Sequence, residues 1–190
     1  MIQRHMHTYI SFLRGINMAG HNSMKMNDLT LLYRDLGFTN AETFIQSGNV
    51  IFSSDEDLPV PDLTLKIERA ITEKFNYLVP VMVRTIEEME KYTALNPFLD
   101  ETNFDPSKMA VLLLHETPSE AQIEKVRDVD YPPDKFKIID REIFIYCPNG
   151  FGRTKLYTNF FENKMKVIGT ARNWKTVTTI LGLALKLQSK

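Results

Sequence analysis

Cysteine and tryptophan are almost absent from this 190-residue chain, each occurring once, as Cys147 and Trp174. One thiol excludes an internal disulfide and any multi-cysteine zinc site, and it reads as a reduced, buried side chain. Long apolar runs are missing as well. The longest, Met109 to Leu114, is six residues, far short of the ~20 that cross a bilayer. Charge of one sign is lacking: 23 Lys and Arg stand against 24 Asp and Glu, a formal charge of -1. There is therefore no bulk positive field to gather nucleic acid or an anionic membrane, and any anion site must be local. Met1 to His7 contains Arg4 and two histidines but neither the apolar core nor the small-residue cleavage site of a signal peptide, so a cytoplasmic protein is expected. Eight Gly and nine Pro exclude collagen-like and low-complexity chains. What is present, 43% hydrophobic and 25% charged residues, is the make-up of an ordinary globular fold, which at this length removes roughly 70% of the extended chain's surface from water.

Periodicity organises the chain into two halves. Thr8 to Leu13 is a β-branched, aromatic-rich strand running into the glycine-bearing stretch Arg14 to Met26. Leu29, Leu32, Tyr33 and Leu36 have helical spacing, with Asn27 placed to cap the start and Gly37 the end. Thr43 to Gln46 and Asn49 to Ser53 read as strands joined by a tight Ser47-Gly48 turn. Asp62 to Asn76 is a second amphipathic helix, Val79 to Arg84 a fourth strand, and Thr85 and Glu88 have capping-box spacing for a short helix to Leu95. Asn96 to Lys108 reads as a linker.

The order then returns: strand Met109 to Leu114, helix capped by Thr117, strands Phe136 to Asp140 and Glu142 to Cys147, helix Arg153 to Met165, strand Val167 to Arg172, and a last helix with Trp174, Val177, Ile180, Leu181, Ala184 and Leu185 on one stripe. The expected fold is α+β: two tandem ferredoxin-like βαββαβ units, each followed by a helix, packed into one compact body. The domains are 1–95, a linker 96–108, and 109–190, with a single mixed sheet as the rival arrangement.

Topology says which polar residues meet. In a sheet of order 4-1-3-2 the loop after the first strand and the hairpin between the second and third share one end. That sets Arg14, Asn17 and Lys25 beside Gln46 and Asn49. In the second half, Gly150 to Lys155 and Thr170 to Lys175 share one end, which gathers Lys155, Arg172 and Asn173. Both clusters lead toward helix N-termini, where free N–H groups and the dipole favour an anion. The structural alternative is that these are turn formers and solvated cations.

Motifs for chemistry are incomplete. Gly15 to Asn22 nearly matches the phosphate loop but places His21 and Asn22 at the Lys and hydroxyl positions. Ser47, in Ile45-Gln46-Ser47-Gly48-Asn49, lacks the first glycine of a nucleophile elbow. His5 and His7 alternate on an extended segment, and His115 beside Glu116 has no third ligand, so no metal centre and no cofactor are expected. The strands Asn49 to Ser53 and Glu142 to Tyr146 lack the stacking aromatics of an RNA-recognition module.

The segments Leu13-Arg14-Gly15-Ile16-Asn17 with Gly20-His21-Asn22 and Lys25-Met26, Gln46-Ser47-Gly48-Asn49-Val50, Gly152-Arg153-Thr154-Lys155-Leu156, and Thr170-Ala171-Arg172-Asn173-Trp174 resemble an uncharacterised bacterial family, domain-of-unknown-function family 1697. Met18-Ala19 departs from the Val-Gly of many relatives. The resemblance implies a compact α+β protein of similar length and brings no activity. The expectation from the residues is a binding protein for a small anionic ligand, with Arg14, Lys25, Lys155 and Arg172 supplying charge and Asn17, Gln46, Asn49 and Asn173 orienting hydrogen bonds. No membrane partner is expected, nucleic acid is a minor alternative, and the oligomeric state is open. The rivals are an enzyme using His21 for proton transfer near neutrality and an interaction module with an open sheet edge.

Overall fold

The β-branched and aromatic residues Thr8, Tyr9, Ile10 and Phe12 make His7–Leu13 a strand (β1) that is buried from Thr8 onward. In the computed structural model, which describes residues 6–18, 20–56 and 58–189, β1 is followed by α1 (Met26–Asp35), β2 (Thr39–Phe44), β3 (Asn49–Ser54), α2 (Val60–Phe75), β4 (Val81–Thr85) and α3 (Ile86–Ala94). The same order recurs in β5 (Met109–Leu114), α4 (Glu120–Glu124), β6 (Lys135–Ile139), β7 (Glu142–Tyr146), α5 (Thr158–Met165), β8 (Gly169–Asn173) and α6 (Trp174–Gln188). His5 and Ala19 lie outside the described residues.

Two four-stranded sheets result, ordered β2-β3-β1-β4 and β6-β7-β5-β8, with every pairing antiparallel. The rival single sheet is not formed. The fold is α+β, and two units with one element order and one strand order are consistent with tandem duplication. By packing, the chain divides into unit 1, Met1–Glu90 with Ile180–Lys190, and unit 2, Lys91–Thr179.

In unit 1 the helices cover one sheet face. Leu29, Leu32 and Tyr33 of α1 and Leu63, Ile67 and Ile71 of α2 pack on Leu13, Val50, Phe52, Val81 and Val83. Phe52 anchors the cluster, with ring centroids 4.6 Å from Phe38 and 5.2 Å from Tyr33. Each fully buried aliphatic side chain there contributes about 1.5–3 kcal/mol. Ser11 and Tyr33 form an enclosed polar pair: Ser11 Oγ donates to Val50 O at 3.3 Å and lies 2.7 Å from the Tyr33 hydroxyl, which donates to it. Burial pushes the Tyr33 phenol well above its ordinary pKa, against the opposing hydrogen bond to Ser11. Ser11→Ala is therefore expected to cost about 1–3 kcal/mol because the phenol loses its acceptor, whereas Tyr33→Phe, which leaves Ser11 bonded to Val50, costs less. A double-mutant cycle by urea denaturation checks this; equal and additive losses would contradict it.

Unit 2 repeats the plan with Phe161 and Met165 of α5 against Leu112, Leu114, Ile143 and Ile145. The stretch 96–108 packs on the end of its sheet, where Phe98 stacks on Tyr146 at 5.7 Å and Asp105 N–H donates to the Tyr146 hydroxyl at 3.3 Å. Of the α6 stripe, Trp174, Val177, Ile180, Leu181 and Ala184 are buried, and Leu185 sits at its exposed margin.

Several local expectations need correction. α1 starts after Lys25 with no side-chain cap, so Asn27 lies inside its first turn. β2 begins at Thr39 and the connection to β3 is the four-residue loop 45–48, because Ile45 turns the chain with a φ of 52° before Ser47 is reached. α4 is capped by Ser119, whose N–H donates to Gln122 Oε1 at 2.8 Å, since Thr117 precedes a proline and is held extended. α5 begins at Thr158, not Arg153: the Thr154 hydroxyl accepts the Leu156 N–H at 3.0 Å, and this local bond competes with a helical turn, Thr154 and Tyr157 staying extended while Leu156 enters the core. By contrast, the capping box at α3 forms as expected, Thr85 N–H donating to Glu88 Oε2 at 2.9 Å and Glu88 N–H to Thr85 Oγ1 at 3.1 Å.

Candidate functional site

Register brings the first predicted cluster together in unit 1. Phe12 pairs with Asn49, Leu13 N–H donates to Gly48 O at 2.8 Å, and Arg14 N–H donates to Pro80 O at 2.9 Å. The loop 14–25, the hairpin loop 45–48 and the start of β4 thus form one end of the sheet. Asn17 is the knot. Its Nδ2 donates to Met24 O at 2.9 Å and to Gln46 O at 3.0 Å, and its Oδ1 accepts Met24 N–H at 2.7 Å. Asn22 Nδ2 holds Gly15 O at 3.1 Å, and buried Asn49 Nδ2 holds Phe44 O at 3.0 Å and Ser47 Oγ at 2.9 Å. The asparagine amides are occupied by the loops' own framework, and the exposed side chains at this end are His21, Lys25 and Gln46, with Arg14 half-buried. The signal for this in sequence was the asparagine type itself: Asn17 and Asn22 both take left-handed φ values, 54° and 48°, which asparagine tolerates better than most residues.

In unit 2 the predicted residues separate. Arg172 is 8% exposed, and its guanidinium donates to Thr170 Oγ1 at 2.7 Å and to Ala171 O at 2.9 Å. Burial lowers its pKa to about 10. Arg84 of unit 1 repeats the arrangement: it is fully buried, donates to Val83 O at 3.0 Å, and immediately precedes the residue that caps the next helix. Asn173 is the matching cap in unit 2, its Oδ1 accepting Thr176 N–H at 2.7 Å. Arg172 and Asn173 thus reproduce a framework element shared by both units.

Lys155 lies elsewhere, in a cavity of about 870 Å³ between the segments 130–134 and 149–155. Its ammonium sits 5.0 Å from the centre of the Tyr131 ring, a cation–π contact. Arg153 joins it on the same wall, and Asp130 and Asp134 face from the other segment. Neither Arg172, Asn173 nor His21 is among the lining residues. Beneath lies fully buried Cys147, whose thiol is pushed up by burial and by the nearby Asp134 carboxylate, against a hydrogen bond with Thr154; it is a packed thiol rather than a nucleophile. A second hollow of about 550 Å³ shares Asp130 and Asp134 and includes Glu101, tied to Lys135 by a 2.7 Å ion pair. Sequence reasoning missed the 130–134 wall. Its signal was Tyr131-Pro132-Pro133-Asp134, a turn composition in which Asp134 N–H closes back on Tyr131 O at 2.9 Å. Among the described residues, no group of three or more His, Cys, Asp or Glu is arranged to hold a metal, and no helix is long and apolar enough to cross a membrane.

A family model described as "Protein of unknown function (DUF1697)" matches residues 6–144. Among solved structures, the conserved bacterial protein SP0830 from Streptococcus pneumoniae is similar, with a TM-score of 0.77 at 22% identity over 95% of this chain and 99% of that one. That likeness establishes the fold alone. No curated protein matches the chain.

Proposed function

Because the chain belongs to DUF1697, a family of unknown function, it inherits no activity, and we propose that it binds a small phosphate- or carboxylate-bearing ligand in the unit 2 cavity. The observation that carries this reading is the pair Arg153 and Lys155, both exposed, on one wall of a cavity of about 870 Å³. A guanidinium and an ammonium two residues apart grip an anionic group in complementary ways, the first by a planar fork and the second as a point charge. Asp130 and Asp134 opposite them repel a second anionic group and accept hydroxyl or amino hydrogens. The ligand chemistry that fits is one anionic end on a body rich in hydroxyl or amino groups, such as a nucleotide or a phosphorylated metabolite.

A thermal-shift screen at low salt against nucleoside monophosphates, sugar phosphates and small carboxylic acids tests it. A ligand at 100 times its dissociation constant stabilises by about 2.7 kcal/mol, a rise of roughly 5–10 °C for a chain of this size. The shift is expected to fall in Lys155→Ala, vanish in the Arg153→Ala/Lys155→Ala double variant, and shrink with added salt. A shift that survives in the double variant, or none with any of these compounds, would refute the reading.

A further inference from the structure

Among the described residues the three most exposed large apolar side chains are Leu78 at 86%, Met18 at 66% and Ile45 at 52%. They are far apart in sequence, yet all lie in the three segments that meet at one end of the unit 1 sheet: 14–25, 45–48 and 76–80. The hydrogen bonds Asn17 Nδ2 to Gln46 O and Arg14 N–H to Pro80 O hold these segments together. Four strands at ~4.8 Å spacing set the strand ends from which the three segments leave within about 15 Å of one another. None of the residues in the three segments is Asp or Glu, while Arg14 and Lys25 are among them. The overall charge of -1 conceals this local excess of cations.

Ile45 adds an independent observation. A β-branched residue at a φ of 52° is strained, and at 52% exposure it gains little packing in return. Asn or Gly would suit the turn better. Strain held at an exposed apolar tip is the mark of a residue placed for something outside the fold.

We propose that this end of unit 1 docks reversibly on an anionic lipid surface, its three aliphatic tips entering the headgroup region among the cations. The chemistry favours lipid over other anionic partners. Single-stranded nucleic acid is held by exposed aromatic rings, and the one aromatic in these segments, Tyr77, packs against the core. Protein hot spots are rich in Trp, Tyr and Arg, with Leu under-represented. Aliphatic side chains beside Arg14 and Lys25 match a bilayer whose surface is negative, the carboxylate at this end, Glu68, being engaged by the Val81 N–H at 2.8 Å.

Co-sedimentation of the full chain with phosphatidylglycerol-rich vesicles and with pure phosphatidylcholine vesicles tests the proposal. Binding is expected on the anionic vesicles only, weakening with added salt. Met18→Ser/Leu78→Ser is expected to lower the partition coefficient at least about tenfold while circular dichroism and Tm stay at wild type. Ile45→Asn is expected to lower partition while leaving Tm equal or higher, an outcome that no purely structural role for Ile45 produces. Absence of vesicle binding at low salt, unchanged partition in the double-serine variant, or binding to single-stranded RNA or an acidic protein in place of vesicles would overturn it.

Discussion

Gly48→Ala is expected to destabilise unit 1 by about 3–5 kcal/mol, combining left-handed backbone strain with overpacking. Gly48 has a φ of 70°, and a Cβ there would stand 2.6 Å from Ile16 Cδ1, 2.9 Å from Ile16 Cγ1 and 2.9 Å from Leu13 Cβ. Ile16 and Leu13 are 3% and 1% exposed, so neither has open space into which to retreat. Leu13 Cβ is, moreover, fixed to the backbone that donates Leu13 N–H to Gly48 O. Gly15 is the control: its φ is 66°, but a Cβ there meets nothing within 4 Å, so Gly15→Ala carries only the strain, about 1–2 kcal/mol. Urea denaturation of the two variants measures the difference. A Gly48→Ala protein no less stable than Gly15→Ala would show that the loop relaxes away from β1 at little cost.

Asn17→Ala comes next, at about 2–4 kcal/mol. It removes a side chain that makes three hydrogen bonds, to the N–H and the C=O of Met24 and to Gln46 O, at a residue with a φ of 54° that alanine tolerates poorly. Asn17→Gly relieves the strain but not the lost bonds, so it is expected to be less damaging than Ala. Asn17→Asp keeps the acceptor for Met24 N–H and turns an oxygen toward two carbonyls, which is expected to cost about as much as Ala. Hydrogen exchange at the Met24 amide, read with denaturation, follows the loop itself. Wild-type stability and Met24 protection in Asn17→Ala would mean the loop does not depend on this side chain and would return Asn17 to a ligand-orienting role.

Elements whose cause lies within a few residues were legible in the chain alone. β5 is found at Met109–Leu114 as expected because a bounded run of apolar residues admits few other boundaries. The α3 capping box could be read because both partners lie within one helical turn. The order of elements, and from it the 4-1-3-2 strand order in both units, followed from periodicity and from the few ways such a chain can connect. So did the meeting of the 14–25 loop with the hairpin after β2. Other features depend on partners distant in sequence. That Arg172 is enclosed while Lys155 lines a cavity follows from where β8 and the segment 149–155 lie in the folded sheet, not from residue type, since both are cations beside a helix-forming stretch. The 130–134 wall faces Lys155 only after β6 and β7 have paired. The apolar tips Met18, Ile45 and Leu78 are gathered by pairing of β1 with β3 and β4. Composition averages charge and apolarity over 190 residues. Only a fold, by closing loops that cost entropy against distant contacts, concentrates them at one place.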